Sequence, residues 1–401
     1  MGFDLKALPD GFTDDPYPAF AALRETAPVC PQPDGSMVIS RHADLDRIYR
    51  DTTTFISDKT RVFAPKFGAD TPLFAHHTTS LVFSDPPLHT RVRSVMVGAL
   101  TPRALAAMEP ALVALVDGLL DDLTEGCDLI EGFAGAIPIE VIGNLLGIPR
   151  DRRAPLRGWS LAILGALEPV LSPAQMAAGN AAVTEFLDFL REIVADRRAR
   201  PGNPETDVLT RLIASDEGGG LSEAELLQNC IFILNAGHET TTNLIGNALW
   251  LLDRDRAARA RLLADPGLIP GAVDEVLRLE SPNQFGNRLT TAEITLHGVT
   301  IPAGTDLHLC IAAANRDPRA FDDPDAFRPE RRPNRHLAFA GGPHTCVGFS
   351  LARMEGRIAL ARFLDRYPDY ALRPGARRSP RIRFRGFTHL PVALARPTER
   401  T

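Results

Sequence analysis

The sequence predicts a mainly α protein with a minor β region, and three observations carry that reading. From Pro86 to about Leu279, apolar residues recur at helical spacing, as in Leu105–Leu123, Ala181–Arg198 and Ser222–Leu252. Between Arg288 and Ile311 the pattern changes to short β-rich runs broken by His297-Gly298 and Ala303-Gly304, the mark of hairpins. Val347, Leu351, Met354, Ile358 and Ala361 then return to alternating steps of four and three, one face of a further helix.

In chain order, residues 1–85 mix Pro-rich turns with short alternating runs such as Met37-Val38-Ile39, so a small sheet and loops are expected there, β-rich from about 30 to 60. Asp85 suits an N-cap, with Pro86 at the first helical position, opening a helical core of about 86–279. Inside it, Ser222 and Glu225 form a capping-box pattern. A helix from there to Leu252 is roughly 45 Å long. It has little polar face, so it should be central and buried. The β-rich part at 288–311 precedes a second helical part at 347–365, and an Arg-rich tail ends in short strand-like pieces over 371–395. No internal repeat interrupts the chain, and 1–401 reads as a single domain.

Composition narrows the function classes. Hydrophobic residues make up 44% and charged residues 23%, as in ordinary globular proteins. The net charge of −6 gives no footprint for nucleic acid. Five cysteines, an odd number with no CxxC pair, argue against a disulfide framework and fit a reducing cytoplasm. The first residues lack the charged and apolar regions of a signal peptide, and position 6 after Met1-Gly2 lacks the Ser or Thr of a myristoylation site. No apolar run is long enough for a membrane span. A cytoplasmic monomer is expected.

Four stretches could carry chemistry. The first, Asn235-Ala236-Gly237-His238-Glu239-Thr240-Thr241-Thr242, puts a glycine, an acid and three threonines into the buried helix. Buried polar groups need partners or a purpose. A hydroxyl bonded to the carbonyl four residues back would kink the helix, with or without a function. His238-Glu239 starts an HExxH zinc pattern, but Thr242 stands where the second histidine should be. Second, Glu275 and Arg278 share a helix face, which taken alone is a common surface ion pair. Third, His89 and Arg93 project from one side and could hold a carboxylate or phosphate, or simply form a solvated basic face. Fourth, in Phe339-Ala-Gly-Gly-Pro-His-Thr-Cys-Val-Gly348, glycines permit tight turns beside a flat ligand, and Cys346 lies where a helix start favours a thiolate. Without a companion cysteine this suits a nucleophile or a single axial metal ligand better than structural zinc.

Together these stretches resemble the cytochrome P-450 family of haem-thiolate monooxygenases, of the soluble bacterial type. Phe339-x-x-Gly342-x-His344-x-Cys346-x-Gly348 is similar to its haem-binding loop, Ala236-Gly237-x-Glu239-Thr240-Thr241 to its oxygen-activating segment, and Glu275-x-x-Arg278 to its ExxR helix. Ala314-Asn315-Arg316-Asp317-Pro318 and Phe327-Arg328-Pro329-Glu330-Arg331 match the segment leading to the cysteine loop. Ala340 departs from the family's frequent glycine. The resemblance implies the cytochrome P-450 fold, a long central helix over a buried haem, with haem b as cofactor and O2 as cosubstrate. It makes Cys346 the iron ligand, with Phe339, Ala236, Gly237 and Gly348 beside the haem. His89, Arg93, Arg288 and His344 would hold the propionates. Glu239 and Thr240 would deliver protons during oxygen activation. Glu275, Arg278 and Arg331 would form a structural network.

Substrate contacts are expected from Asn235, Gln284, Phe285 and Phe387, and from the 60–82 loop. The polar stretch 282–288 and the aromatic residues suggest a small molecule of aromatic character with at least one polar group. The resemblance also implies that electrons come from a separate ferredoxin (or flavodoxin) and an NAD(P)H-dependent reductase, docking near Arg91, Arg103 and Arg353. Two alternatives remain: a peroxygenase or haem-dependent isomerase or dehydratase on the same fold, and a non-catalytic haem sensor or electron carrier.

Overall fold

The computed structural model describes residues 3–204, 207–217 and 221–394. The ends of the 1–401 and 371–395 readings, and the Met1-Gly2 dipeptide, lie outside the described residues. The helices are α1 (Tyr17–Thr26), α2 (His42–Arg50), α3 (Thr60–Phe67), α4 (Pro72–Thr79), α5 (Leu88–Ala99), α6 (Pro102–Asp122), α7 (Ala136–Leu145), α8 (Leu156–Gly165) and α9 (Pro173–Ala199). They continue through α10 (Val208–Glu217), α11 (Glu223–Arg254), α12 (Arg256–Ala264), α13 (Ile269–Leu279), α14 (Ile311–Ala314) and α15 (Phe349–Arg366). Among the described residues, no helix is long and apolar enough to cross a membrane.

The central member is α11. Ser222 caps it, accepting from the Glu225 amide at 3.2 Å while the Glu225 carboxylate accepts from the Ser222 amide at 2.8 Å. Its 32 residues are mostly buried, packed by α7, α8, α9, α13 and α15. The main apolar core surrounds it, drawing on α6, α7, α9, α13 and α15.

The principal sheet runs β1 (Val29–Pro31), β2 (Met37–Ile39), β7 (Asp306–Cys310), β4 (Phe285–Thr290), β3 (Phe55–Ile56), with β2 and β7 parallel and the other pairs antiparallel. A hairpin of β5 (Ile294–Leu296) and β6 (Val299–Ile301) turns at His297 and Gly298, both at positive φ, as a two-residue hairpin requires. The tail contributes β8 (Ala371–Leu372), β9 (Arg377–Arg378), β10 (Phe387–His389) and β11 (Val392–Ala393), pairing β8 with β11 and β9 with β10.

Two local expectations are corrected. Residues 1–85 hold four helices besides their short strands, not only a sheet and loops. Of these, α3 and α4 have eight residues each, and α3 contains Pro65. Helices this short gain little from propensity and are held by packing, here through buried Phe63, Phe67, Leu73, His76 and His77. Second, Asp85 does not cap a helix starting at Pro86, since α5 begins at Leu88. The Asp85 carboxylate instead accepts from the amides of Ser57 (3.0 Å) and Asp58 (2.9 Å), fastening the turn between β3 and α3.

Glu275 and Arg278 are fully buried, so the surface-pair reading is excluded. Arg278 donates to both Glu275 oxygens at 2.8 Å and to the carbonyls of Asn315 and Ala326 at 3.0 Å. Glu275 also accepts from Arg331 at 2.9 Å and from Asn334 at 3.1 Å. With these bonds in place two buried charges are tolerable, and the residues lock α13 to the chain that leads into the cysteine loop.

Candidate active site

The loop Phe339–Gly348 crosses from that network to α15. The Cys346 amide donates to the Phe339 carbonyl at 3.0 Å, and the Thr345 amide to Gly342 at 3.0 Å. Gly342 has φ +64 and packs so closely on α2 that a Cβ would collide with the Tyr49 carbonyl. Its glycine therefore serves the loop's seat on α2. Gly348 is different: it lines the cavity, and nothing lies within 4 Å of where its Cβ would be. Ala340 sits at φ +56, a left-handed conformation that costs a residue with a Cβ about 1–2 kcal/mol.

Cys346 is exposed, but towards an internal cavity of about 360 Å³. Protein otherwise encloses it. Burial pushes its thiol up, against the lowering pull of the Gly348 amide, Arg93 and Arg353. Helix-end stabilisation alone therefore does not make a thiolate here. Phe339 lines the same wall, under the Arg353 guanidinium at 4.9 Å. Among the described residues, no three His, Cys, Asp or Glu side chains gather to hold a metal ion, so Cys346 has no companion ligands.

At one edge the cavity is cationic. Arg93, Arg288 and His344 line it. His89 is not on the wall, but its ring lies 4.0 Å from that of His344. Arg288 is 4% exposed, and its Nε and Nη2 have no partner; neither does His89 Nε2. Burial, then Arg288, His89 and Arg93, hold His344 down to about 2. Asp85, 3.9 Å from His344, is the nearby counter-charge, and it leaves two Arg288 nitrogens unbonded, so this edge fits a ligand that brings carboxylates.

The middle of α11 also lines the cavity, through Asn235, Ala236, Gly237, Thr240 and Thr241. A Cβ on Gly237 would come within 2.6 Å of Ile142 Cδ1, so glycine lets this α7 side chain pack close against α11. Thr240 Oγ1 donates to the Ala236 carbonyl at 2.7 Å, and Thr242 to His238 at 2.9 Å. Glu239 turns away from the cavity and accepts two hydrogen bonds from Arg381, at 2.7 and 2.6 Å. Arg381 is anchored in turn on the Leu161 carbonyl at 2.6 Å. Burial pushes Glu239 up to about 7 even against Arg381.

Of the expected substrate contacts, Asn235 and Phe285 line the cavity. Gln284 and Phe387 do not, and those two placements are corrected. The Gln284 amide nitrogen donates to the Ser281 carbonyl at 2.5 Å, while Phe387 packs on Trp250 (5.9 Å) and under Arg378 (4.0 Å). Phe384, three residues earlier in the tail, reaches the wall instead. The 60–82 stretch does reach the cavity, through His76 and His77 among others, while the reading missed Arg381 and Glu355. Glu355 lines the cavity beside Thr241, has an unpartnered Oε2, and is pushed up to about 8 by burial. Its signal was present: it stands four residues after Leu351 and three before Ile358, on the apolar face of α15.

A cavity lined by the Cys346 thiol, by the middle of α11 and by Arg93 and the incompletely bonded Arg288 fits a flat porphyrin that carries two carboxylates. Comparisons with known proteins agree. The family model described as Cytochrome P450 matches residues 163–371. The chain belongs to the cytochrome P450 family. It is therefore an oxidoreductase of the monooxygenase type, from a family that uses haem and O2. It is 38% identical to Cytochrome P450 107B1 of Saccharopolyspora erythraea, covering 97% of both chains, and 33% identical to 6-deoxyerythronolide B hydroxylase of the same organism, covering 96% of this chain and 97% of that one. The solved structure of P450BioI in complex with a hexadec-9Z-enoic acid ligated acyl carrier protein superposes with a TM-score of 0.90 at 30% identity, covering 96% of this P450 and all of that chain.

Proposed function

We propose that this P450 inserts one oxygen atom from O2 into a small organic substrate bearing a polar group, using electrons from a separate ferredoxin (or flavodoxin) and NAD(P)H-dependent reductase. The observation that carries the reading is that one cavity is lined both by Cys346 and by Gly237 and Thr240 of α11. Haem b, ligated through the Cys346 sulfur, supplies O2 activation and oxidation of the substrate.

The chain's own residues supply binding, dryness and proton control. Arg93 and Arg288 would hold the propionates through charge-assisted bonds, with His344 and His89 as further hydrogen-bond partners. The Thr240 hydroxyl has its proton committed to Ala236, so its oxygen is free to accept from a water or substrate group in the cavity. Glu239, held near neutrality, exchanges a proton within the working pH range, and Arg381 holds it off the wall. Glu355 carries its proton at neutral pH and stands beside Thr241 as a second store. Retention of this acid–alcohol pair favours O2-driven chemistry over a peroxygenase or a sensor. On the expected docking face, Arg353 donates to Asp274 at 2.7 Å and Arg91 to Glu225 at 2.8 Å, so an acidic partner must compete with those carboxylates.

The test is spectroscopic. The reduced, CO-saturated protein should show the strongly red-shifted Soret band of thiolate-ligated haem, and Cys346→His should lose it while still binding haem. An unshifted band in the wild type overturns the proposal.

A further inference from the structure

Asn235 is 2% exposed and lies on the cavity wall, yet its Oδ1 has no partner. Leaving a buried amide oxygen unpaired costs about 1–3 kcal/mol, so it awaits a donor. The direction of the amide is set by its neighbours. Gln228 Oε1 lies 2.9 Å from His76 Nδ1. A carbonyl oxygen can only accept, so Nδ1 carries the ring proton. Burial holds His76 down to about 4, so the ring is neutral and its Nε2 is bare. A bare Nε2 can only accept, and Asn235 Nδ2 faces it at 3.4 Å. The amide is thereby oriented with Nδ2 towards His76, which leaves Oδ1 as its unpartnered atom. The same wall presents a second unpartnered polar atom, Nε2 of buried His77, whose ring is stacked on Phe67 and lies 5.0 Å from that of His76.

We propose that Asn235 Oδ1 is the acceptor that selects substrates carrying a hydroxyl or N–H group, and that Gln228 and His76 act as positioning residues that fix its polarity. This rests on the reading of the cavity as the substrate site. The remaining wall near it is apolar, with Leu81, Phe83, Phe232 and Leu244. The matching class is an apolar, ring-sized molecule with one donor group at its far end. Gln228 is not on the cavity wall, so its effect on selectivity must pass through His76.

Equilibrium dialysis of the holoenzyme tests this with two matched pairs, 2-naphthol against 2-methoxynaphthalene and indole against 1-methylindole. The donor of each pair should bind about tenfold more tightly, the worth of one hydrogen bond to a buried acceptor. Asn235→Leu should abolish the preference while leaving affinity for the methylated partners within about twofold. Gln228→Leu, which frees the His76 proton and so the amide, should weaken the same preference without touching the ligand. Equal binding of both members by the wild type would overturn the proposal, a water then satisfying Oδ1; so would a preference unchanged in Asn235→Leu. Should Asn235→Leu fail to fold, an unchanged preference in Gln228→Leu overturns the relay. Dialysis reads binding alone, so a missing Soret shift with intact selectivity would sink the monooxygenase reading and not this one.

Discussion

Glu355→Gln should change how stability depends on pH. In the unfolded chain the carboxyl loses its proton near its ordinary value of 4.5, whereas burial in the fold keeps it to about 8. Between those limits unfolding releases a proton, so stability falls as pH rises. The contribution is fully present below the unfolded value and lost as pH passes the folded one. The interval from 4.5 to about 8, at about 1.4 kcal/mol per pH unit, caps the effect at about 5 kcal/mol. Glutamine keeps the shape and the neutral charge but cannot ionise. Urea unfolding of both holoenzymes, followed by circular dichroism from about pH 5 to about pH 8.5, measures the difference. Wild-type stability minus variant stability should drop by about 3–5 kcal/mol across that range and flatten above it. Parallel curves would refute the reasoning, because they would mean that Glu355 ionises alike in both states.

Four shorter predictions follow. Thr240→Ala should keep the haem spectrum but divert reducing equivalents to hydrogen peroxide, read as peroxide formed per NAD(P)H consumed; unchanged coupling to product would remove Thr240 from proton delivery. Arg381→Gln removes the pull that opposes burial at Glu239, so Glu239 should hold its proton to higher pH and the pH profile of turnover should move up from about 7; an unmoved profile counts against Glu239 as the titrating group. Glu275→Gln leaves Arg278 and Arg331 without their buried counter-charge and should cost about 3–5 kcal/mol, seen in chemical denaturation and in haem retention. Ala340→Gly relieves the positive φ and should stabilise by about 1 kcal/mol with no change in the Soret spectrum.

Much of this was legible in the sequence because the chemistry sits on local patterns. The capping box, the apolar run and the Gly-Glu-Thr interruption all lie within α11, and the loop from Phe339 to Gly348 fixes its own cysteine. What was missed depends on contacts distant in the chain. Arg381 meets Glu239 across 142 residues, and no spacing rule reports such a pair. Gln284 and Phe285 differ by one residue, and strand alternation sends only one side chain of such a pair to a given face. Their register is set by pairing with β7, where Phe285 lies opposite Cys310. Phe384, and not Phe387, reaches the cavity for a similar reason: pairing of β9 with β10 shifts register at Phe387, and hydrophobicity does not report which phenylalanine turns to the cavity.

The hairpin tip at Arg381–Phe384 serves two masters. Phe384 lines the cavity, and Arg381, three residues before it, holds Glu239, the acid proposed to supply protons there. Fit and timing are thus hung from one short piece of backbone. Displacing Phe384 should therefore also disturb the Arg381–Glu239 pair. Engineering that enlarges the chamber at this tip should accordingly loosen coupling as well as selectivity, whereas enlargement at Phe232 or Leu244, on α11 away from the tip, should change selectivity alone.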